Sequence, residues 1–353
     1  MGPWRRRLAR TIATLGLVPP ACTGVAPRDA GIDATLDDAI DDRGPVPDIV
    51  RRDTAPDVLR PLLDPTLFDC TSLRGDGGAS AVPTRASPIP IACALDRSCR
   101  TLQVSAHRGA GGDLGRLAPE DTLSAYRAGI AAGVEYVETD PRPTQDGIIV
   151  NMHDPTVDRT TDGTGAVADM TFAQVRALHI RTGTLPGDFS CERVPTLVEL
   201  LQTCRGRVVV LVDANKTDRV DLLVQAIRDA DAIDWAIFDT SDTNKIDRAL
   251  AIEPRLHFMI RPDTVADVTS QLDHYAPRVP VIVELREANL IAGAVIVHAR
   301  GTRAFIDVFG ADLAATLNGD LGGYRRAVEA GADILQTDRP DFVISYYRMR
   351  GAR

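Results

Sequence analysis

The chain has 353 residues, 44% of them hydrophobic, and a formal net charge of −9. This is enough apolar material for one large or two medium domains with a substantial core. Between Asp29 and Asp57, nine aspartates stand against three arginines, so this segment carries a net −6 of the total charge. The rest of the chain is close to neutral, which argues against a nucleic-acid partner and against a broadly basic membrane-binding face.

Residues 1–22 have the features of a secretory signal peptide. Four arginines lie within the first ten residues, and the apolar run at 8–18 is shorter than the ~18 to 20 residues that cross a bilayer. Residues 18–22 resemble a bacterial lipobox, which predicts a lipid anchor on Cys22, and the arginine run at 5–7 also allows a twin-arginine signal. We therefore expect an exported protein, either a periplasmic or outer-membrane lipoprotein or a secreted one; a cytosolic chain with a chance basic start is the alternative.

Residues 23–100 are interpreted as a low-complexity tether and N-terminal extension. The aspartate-rich stretch contains Pro45, Pro47 and Pro56, and such a composition cannot bury enough apolar surface to offset the entropy lost on ordering. We therefore expect a disordered acidic tether ahead of the folded domain.

Cysteine usage fits an oxidising compartment. Besides Cys22, the chain has Cys70, Cys93, Cys99, Cys191 and Cys204, with no metal-binding spacing among them. Sequence proximity allows disulfides between Cys93 and Cys99 and between Cys191 and Cys204, which would leave Cys70 over. Five buried free thiols are the equally weighted alternative.

Residues 101–350 alternate short apolar runs with helical patterns. Eight runs have the pattern of buried strands: 102–106, 134–139, 208–212, 236–238, 257–260, 281–284, 304–308 and 333–336. Helix signals lie between them, with Thr122 and Thr196 as N-caps and Gly133 and Gly331 as stops. This rhythm predicts an α/β fold of the (β/α)8 TIM-barrel type, with a small insertion after strand 2 that contains an extra run at 148–152. A doubly wound sheet is the alternative, but no Gly-x-Gly-x-x-Gly follows the first strand.

Reactive side chains follow the ends of several predicted strands. They are His107, Arg108, Glu138, Asp140, His153 and Asp213. Because barrel active sites lie at the C-terminal ends of the strands, we expect these side chains to share one site. Glu138 and Asp140 are two residues apart and so point to the same face of a strand. The three carboxylates suit Mg²⁺ or Ca²⁺, the histidines suit acid and base roles, and the arginine suits a phosphate, which together predict metal-assisted phosphoryl chemistry.

Six segments of this domain, in the same order along the chain, resemble the glycerophosphodiester phosphodiesterase family. They read AHRG at 106–109, APEDT at 118–122, VETDPRPTQDGIIVNMHD at 137–154, VDRTTDGTG at 157–165, VPTLVELL at 194–201 and GADILQTDRP at 331–340. The resemblance spans nearly all of residues 103–347. It implies metal-dependent hydrolysis of a small-molecule glycerophosphodiester to glycerol 3-phosphate and an alcohol.

The resemblance also implies roles for individual residues. It assigns His107 and His153 as the acid and base, and Glu138, Asp140 and Asp213 as ligands of a divalent cation, Ca²⁺ or Mg²⁺. It places Arg108, Glu120 and Lys216 in the substrate-binding pocket, although Glu120 could instead simply favour the N-terminus of the first helix.

Three features depart from the family pattern. The usual Glu-x-Lys becomes VDANK at 212–216, the gap GAGGDLGRLAPE at 109–120 is long and rich in glycine, and FIDVFG at 305–310 replaces a Trp-Thr pair. The last change puts an aromatic contact with glycerol in doubt.

Two other functions remain open. A phospholipase D-like enzyme acting on intact lipids would need an apolar barrel mouth, and residues 109–117 and 182–189 show little apolar character. A non-catalytic phosphodiester-binding surface lipoprotein would have no need of paired acid and base groups at the rim.

Overall fold

The computed structural model describes residues 63–72 and 82–353. The predicted signal peptide, Cys22 and the aspartate-rich tether lie outside these residues. Among the described residues, no helix is both long enough and apolar enough to cross a bilayer.

The strands confirm the predicted barrel. In chain order they are β1 (Gln103–Ala106), β2 (Tyr136–Thr139), β3 (Pro141–Pro143), β4 (Ile149–Asn151), β5 (Val209–Asp213), β6 (Ala236–Thr240), β7 (His257–Ile260), β8 (Ile282–Glu284), β9 (Arg303–Asp307) and β10 (Ile334–Thr337). Eight of them form a closed parallel barrel in the order β1-β10-β9-β8-β7-β6-β5-β2. β3 and β4 pair antiparallel as a separate two-stranded sheet, which is the insertion expected after strand 2.

Helices follow the strands. They are α1 (Leu123–Ala132), α2 (Phe172–Ala177), α3 (Leu197–Cys204), α4 (Val220–Asp229), α5 (Thr243–Ile252), α6 (Val265–His274), α7 (Leu290–Ala299), α8 (Phe309–Asn318), α9 (Gly322–Glu329) and α10 (Pro340–Met349). The predicted end signals act as expected: the Thr122 side chain accepts from the Ala125 N–H, and Gly133 ends α1 with a φ of 92°. Thr196 and Glu199 form a reciprocal capping box at the start of α3.

The core has two layers. Inside the barrel, strand side chains such as Tyr136, Leu211, Met259 and Phe305 pack together. A larger cluster fills the space between the strands and the surrounding helices. Because strand side chains alternate between the two layers, both faces of the parallel strands are buried, which explains their almost uninterrupted apolar sequences.

Some of the described residues before 101, within 63–72 and 82–100, pack against the barrel. The 3-10 turn Ile91–Ala94 places Ala94 in the interior cluster. The carbonyl of Ala94 accepts from the Tyr136 hydroxyl at 2.6 Å, and the Cys93 carbonyl accepts from the buried Arg303 at 3.1 Å. Phe68 is also fully buried in the outer cluster. The packed structure therefore begins before residue 101, the expected start of the barrel domain.

The disulfide pairing differs in part from the expectation. Cys93 pairs with Cys99 as expected, but Cys191 pairs with Cys70, and Cys204 is a buried free thiol. Sequence proximity predicted a bond between Cys191 and Cys204, but Cys204 ends α3 and faces the core. Residues 63–72 lie beside the loop that holds Cys191, and the Cys70 N–H donates to the Asp188 carbonyl at 2.7 Å.

Candidate active site

One cavity of about 560 Å³ opens at the C-terminal ends of the strands. Seven of the eight predicted site residues line it: His107, Arg108, Glu138, Asp140, His153, Asp213 and Lys216. The eighth, Glu120, lines a smaller, separate cavity. Side chains at the C-terminal ends of different strands, which are well separated along the chain, thus meet in one site, as this strand-end rule predicts.

Three buried carboxylates form a candidate metal centre. Glu138 and Asp140 project from the end of β2 and Asp213 from the end of β5, and each offers an oxygen within 4.8 Å of the other two. Burial, and then the charges of Asp140 and Asp213, raise the pKa of Glu138 well above its usual range. Asp140 Oδ2 is buried without a hydrogen-bond partner. Three closely spaced carboxylates, one of them with an oxygen that accepts no hydrogen bond, fit a hard divalent cation.

His107 is held by a second acidic side chain. Its Nδ1 lies 2.7 Å from Asp338 Oδ1, and its Nε2 lies 3.8 Å from Glu138 Oε2. Asp338 follows β10, is buried, and also accepts from the Leu114 N–H at 3.0 Å. Burial alone would raise the pKa of Asp338, but hydrogen bonding and the charge of His107 hold it below its usual value. Nδ1 is therefore engaged, and Nε2 is the ring nitrogen turned towards the carboxylates.

His153 is oriented in the same way. Its Nδ1 lies 2.8 Å from Asp154 Oδ1. Asp154 in turn accepts from Arg159 at 2.7 Å, and hydrogen bonds from Arg159 and His153 keep the pKa of Asp154 below its usual range. Both candidate acid and base groups thus have one nitrogen paired with a carboxylate, which fixes the ring orientation.

Glu120 links the two halves of the site from outside the cavity. It accepts from Arg159 at 2.7 and 2.6 Å and from Arg108 Nη1 at 3.2 Å. Two arginines donate to its carboxylate, and its role in binding substrate stays a prediction. It connects Arg108 through Arg159 to Asp154.

Arg108 and Lys216 provide positive charge beside the carboxylates. Arg108 Nε lies 3.4 Å from Asp140 Oδ2 and Lys216 Nζ lies 3.3 Å from Asp140 Oδ1. Burial by itself would lower the pKa of Arg108, but the surrounding carboxylates, Glu120 first, raise it. Arg108 Nε makes no hydrogen bond. Arg108 is therefore a buried cation that lines the cavity beside Asp140.

Arg261 also lines the cavity and was not predicted from the sequence. It follows β7, pairs with Asp239 and with Glu284 (3.0 Å), and lies 3.6 Å from Asp213. One guanidinium serves three carboxylates, and burial raises the pKa of Glu284 to about 8. Arg261 and Asp338 both directly follow strands that were recognised in the sequence, so extending the strand-end rule to every strand would have found them.

The glycine-rich loop packs directly against the His107–Asp338 pair. A Cβ on Gly112 would lie 2.7 Å from His107 Nδ1 and would overlap Asp338 Oδ1. A side chain at this position would therefore occupy the space of the hydrogen bond that orients His107. The segment at 305–310 differs from the family pattern: its Phe309 and Gly310 line the cavity, whereas its Phe305 is buried inside the barrel.

Comparisons with known proteins agree with this arrangement. The model of the glycerophosphoryl diester phosphodiesterase family matches residues 107–250. Human glycerophosphodiester phosphodiesterase 1 is 47% identical over 117 residues, which cover 30% of this chain and 34% of the human protein. The chain thus spans about a third of the length of this curated relative.

Solved structures support the barrel fold. A glycerophosphoryl diester phosphodiesterase from Parabacteroides distasonis matches with a TM-score of 0.64 and 23% identity, over 74% of this chain and 92% of that one. An Oleispira antarctica phosphodiesterase, solved in complex with the product sn-glycerol-3-phosphate, matches with a TM-score of 0.58 and 20% identity, over 70% of this chain and 97% of that one. Residues 107–250 of the chain are thus similar to the glycerophosphoryl diester phosphodiesterase family.

Proposed function

We propose that this protein hydrolyses glycerophosphodiesters to glycerol 3-phosphate and an alcohol. The observation that carries the proposal is one cavity that combines three clustered carboxylates, three cationic side chains and two histidines, each histidine paired with an aspartate. The family match and the glycerol-3-phosphate complex of the Oleispira relative support this substrate class.

Glu138, Asp140 and Asp213 would hold a divalent cation, Ca²⁺ or Mg²⁺, since both take carboxylate oxygens. The cation would supply charge neutralisation to the phosphodiester when it is bound. Arg108 would bind a non-bridging phosphate oxygen through its guanidinium group, and Lys216 would add a second positive charge.

The two histidines divide the proton transfers. One imidazole removes the proton from the attacking hydroxyl and the other protonates the departing alcohol. The attacker is either water or the substrate's own glycerol hydroxyl. Asp338 and Asp154 hold the rings so that the unpaired nitrogen of each is available for these transfers.

The test is release of glycerol 3-phosphate from glycerophosphocholine and glycerophosphoethanolamine. We expect turnover that stops with chelator, returns with Ca²⁺ or Mg²⁺, and falls by about 10²- to 10⁴-fold in His107→Ala and in His153→Ala. His274→Ala is the matched control, because His274 also pairs with an aspartate, Asp247, but lies on the outer helix α6. Near-normal turnover in either cavity variant, or turnover insensitive to chelator, would refute the assignment.

We also propose that the protein acts outside the cytoplasm, either free or anchored through Cys22. The two disulfides support this, because they form and persist in oxidising compartments. Fractionation of expressing cells tests it: activity confined to the cytosol would contradict the proposal, and a Cys22→Ser variant released from membranes would support the anchor.

A further inference from the structure

Arg142 contacts two parts of the candidate site without lining the cavity. It is the half-buried middle residue of β3, between Pro141 and Pro143, and it follows the candidate metal ligand Asp140 by two positions. A proline fixes its own φ angle and restricts the residue before it to extended conformations. The Arg142 side chain therefore projects from a backbone that has little freedom.

The Arg142 guanidinium donates to main-chain carbonyls on two separate segments. Its Nε and Nη2 donate to the His153 carbonyl at 3.1 and 2.7 Å, and Nε also donates to the Met152 carbonyl at 3.0 Å. Its Nη1 donates to the carbonyl of Lys216, 74 residues further along the chain, at 3.2 Å. One planar group thus connects the main chain of a candidate acid–base residue to that of a candidate phosphate-binding residue.

A second cation holds the turn that carries Lys216. This 3-10 turn, residues 214–216, follows β5. Lys245 on α5 is buried, and its Nζ donates to the carbonyls of residues 214 and 217 at 3.1 and 3.0 Å. With the Arg142 bond, three successive acceptors on this turn and its C-terminal neighbour have a charged donor, and such hydrogen bonds are stronger than neutral ones. The direction of the Lys216 side chain therefore depends on both cations.

Carboxylates surround Arg142, yet its donors go to carbonyls. Burial lowers the pKa of Arg142, and the charges of Asp140, Asp154 and Asp213 oppose this shift. An arginine keeps its proton at neutral pH, so the group is a cation. In the described part of the chain, its hydrogen bonds end on main-chain carbonyls. The side chain therefore fixes main-chain positions and is not the partner of a single carboxylate.

We propose that Arg142 is a positioning residue for the hydrolysis and holds His153 and Lys216 in register within the cavity. The inference rests on the proposed function and concerns how the same site is assembled. Asp154 orients the His153 ring, whereas Arg142 fixes the main chain from which that ring projects. On the other segment, Lys216 Nζ lies 3.3 Å from Asp140 Oδ1, and release of the turn would move this charge relative to the imidazole.

The test measures kcat and KM for glycerophosphocholine at saturating divalent cation. In Arg142→Ala, kcat/KM should fall by about 10- to 100-fold, because a misplacement of about 1 Å at a reacting group has an effect of that order. Most of the loss should be in kcat, since His153 acts on the reacting groups. Lys245→Ala releases only the turn and should mainly raise KM, because Lys216 attracts the phosphodiester before it reacts. Equal losses of kcat in the two variants would overturn the separate link to His153.

Chemical rescue separates positioning from folding. Guanidinium chloride, far below the concentrations that unfold the protein, should restore part of kcat in Arg142→Ala, because free guanidinium can donate to the same carbonyls. Sodium chloride at equal concentration should not. A merely structural role would lower the free energy of unfolding and leave kcat of the folded enzyme insensitive to guanidinium. Arg142→Lys is the second variant if the alanine variant does not fold. It should still lower kcat, because an ammonium group lacks the planar fork of donors.

Arg278→Ala is the matched control. Arg278 is also half-buried and also donates to two main-chain carbonyls, those of Pro254 and Leu256. These acceptors precede β7, whereas the cavity opens at the C-terminal ends of the strands, so kcat and KM should be unchanged. Wild-type kcat in Arg142→Ala or Arg142→Lys, or a loss in Arg142→Ala that guanidinium does not restore, would overturn this inference and leave the proposed function standing. A wild-type protein that cleaves no glycerophosphodiester refutes the proposed function itself.

Discussion

Replacing Asp338 should reveal how much turnover depends on the orientation of His107. The Asp338 carboxylate is buried, and its two oxygens serve His107 Nδ1 at 2.7 Å and the Leu114 N–H at 3.0 Å. Asp338→Ala removes a hydrogen bond to a charged group, worth about 1.5–3 kcal/mol. If this bond acts in the transition state, kcat falls by about 10- to 150-fold.

Asp338→Asn makes the more discriminating variant. The Leu114 N–H requires an acceptor, so the amide oxygen turns to Leu114 and the amide NH₂ faces His107 Nδ1. That arrangement makes Nδ1 an acceptor and places the proton on Nε2, which is the wrong tautomer if His107 is the base. A comparable Asp→Asn change at a catalytic histidine lowers kcat by about 10⁴. We therefore expect Asn to be at least as damaging as Ala, although Asn preserves the volume.

The assay is steady-state kinetics on glycerophosphocholine with saturating divalent cation. Asp333→Asn is the control, because Asp333 also pairs with a histidine, His298 at 2.8 Å, and does not line the cavity. A merely structural role would make Asn milder than Ala, since Asn fills the space. Activity of Asp338→Asn within about threefold of wild type would refute the tautomer argument.

Three further predictions test other parts of the molecule. Arg159→Met should lower kcat/KM by about 5- to 30-fold, because it removes the link between Asp154 and Glu120. Arg159→Lys should restore part of the loss, and the control Arg219→Met, which breaks a surface ion pair with Asp221, should have no effect. Equal activity of Arg159→Met and wild type would contradict the functional importance of this link. The pKa of Glu284 is about 8 in the folded state, above its value in the unfolded chain, so the free energy of unfolding of the metal-free protein should fall as pH rises from about 5 to 8, by at most about 1.4 kcal/mol per pH unit. Urea titrations at several pH values should show that the free energy of unfolding of Glu284→Gln depends less steeply on pH. An unchanged pH dependence would refute this origin. Serine at both Cys70 and Cys191 should lower the free energy of unfolding by about 2–5 kcal/mol, since that disulfide closes a loop of 121 residues. Serine at both Cys93 and Cys99, whose disulfide closes a loop of six residues, should lower it by less. If urea unfolding shows the larger loss of stability for the Cys93 and Cys99 variant, the loop argument is contradicted.

The barrel could be predicted because its signals are local. Each strand is a short apolar run and each helix has nearby end signals, such as Thr122 and Gly133, so eight units could be counted along the chain. The strand-end rule then placed Glu138, Asp140 and Asp213 together without any knowledge of tertiary contacts. Their chemical roles stay predictions until variants are assayed.

What the sequence left open depends on contacts between distant residues. The pairing of His107 with Asp338 joins positions 231 residues apart, and the disulfide of Cys70 joins positions 121 apart. Neither has a local signature. Arg159 follows the predicted site by only a few residues, but its function depends on which carboxylates fold against it, and this could not be read from spacing.

Gly112 limits how this site can be altered, by evolution or by design. Any side chain at this position would occupy the space between His107 and Asp338, so the position contributes to turnover by having no side chain at all. Asp113, next in the loop, points outwards with 72% of its side chain exposed and pairs with Arg108. Libraries that aim to change the substrate range should therefore keep residue 112 as glycine and vary residue 113 and the first turn of α8. In a saturation scan of the loop, the smallest residue should be among the least replaceable.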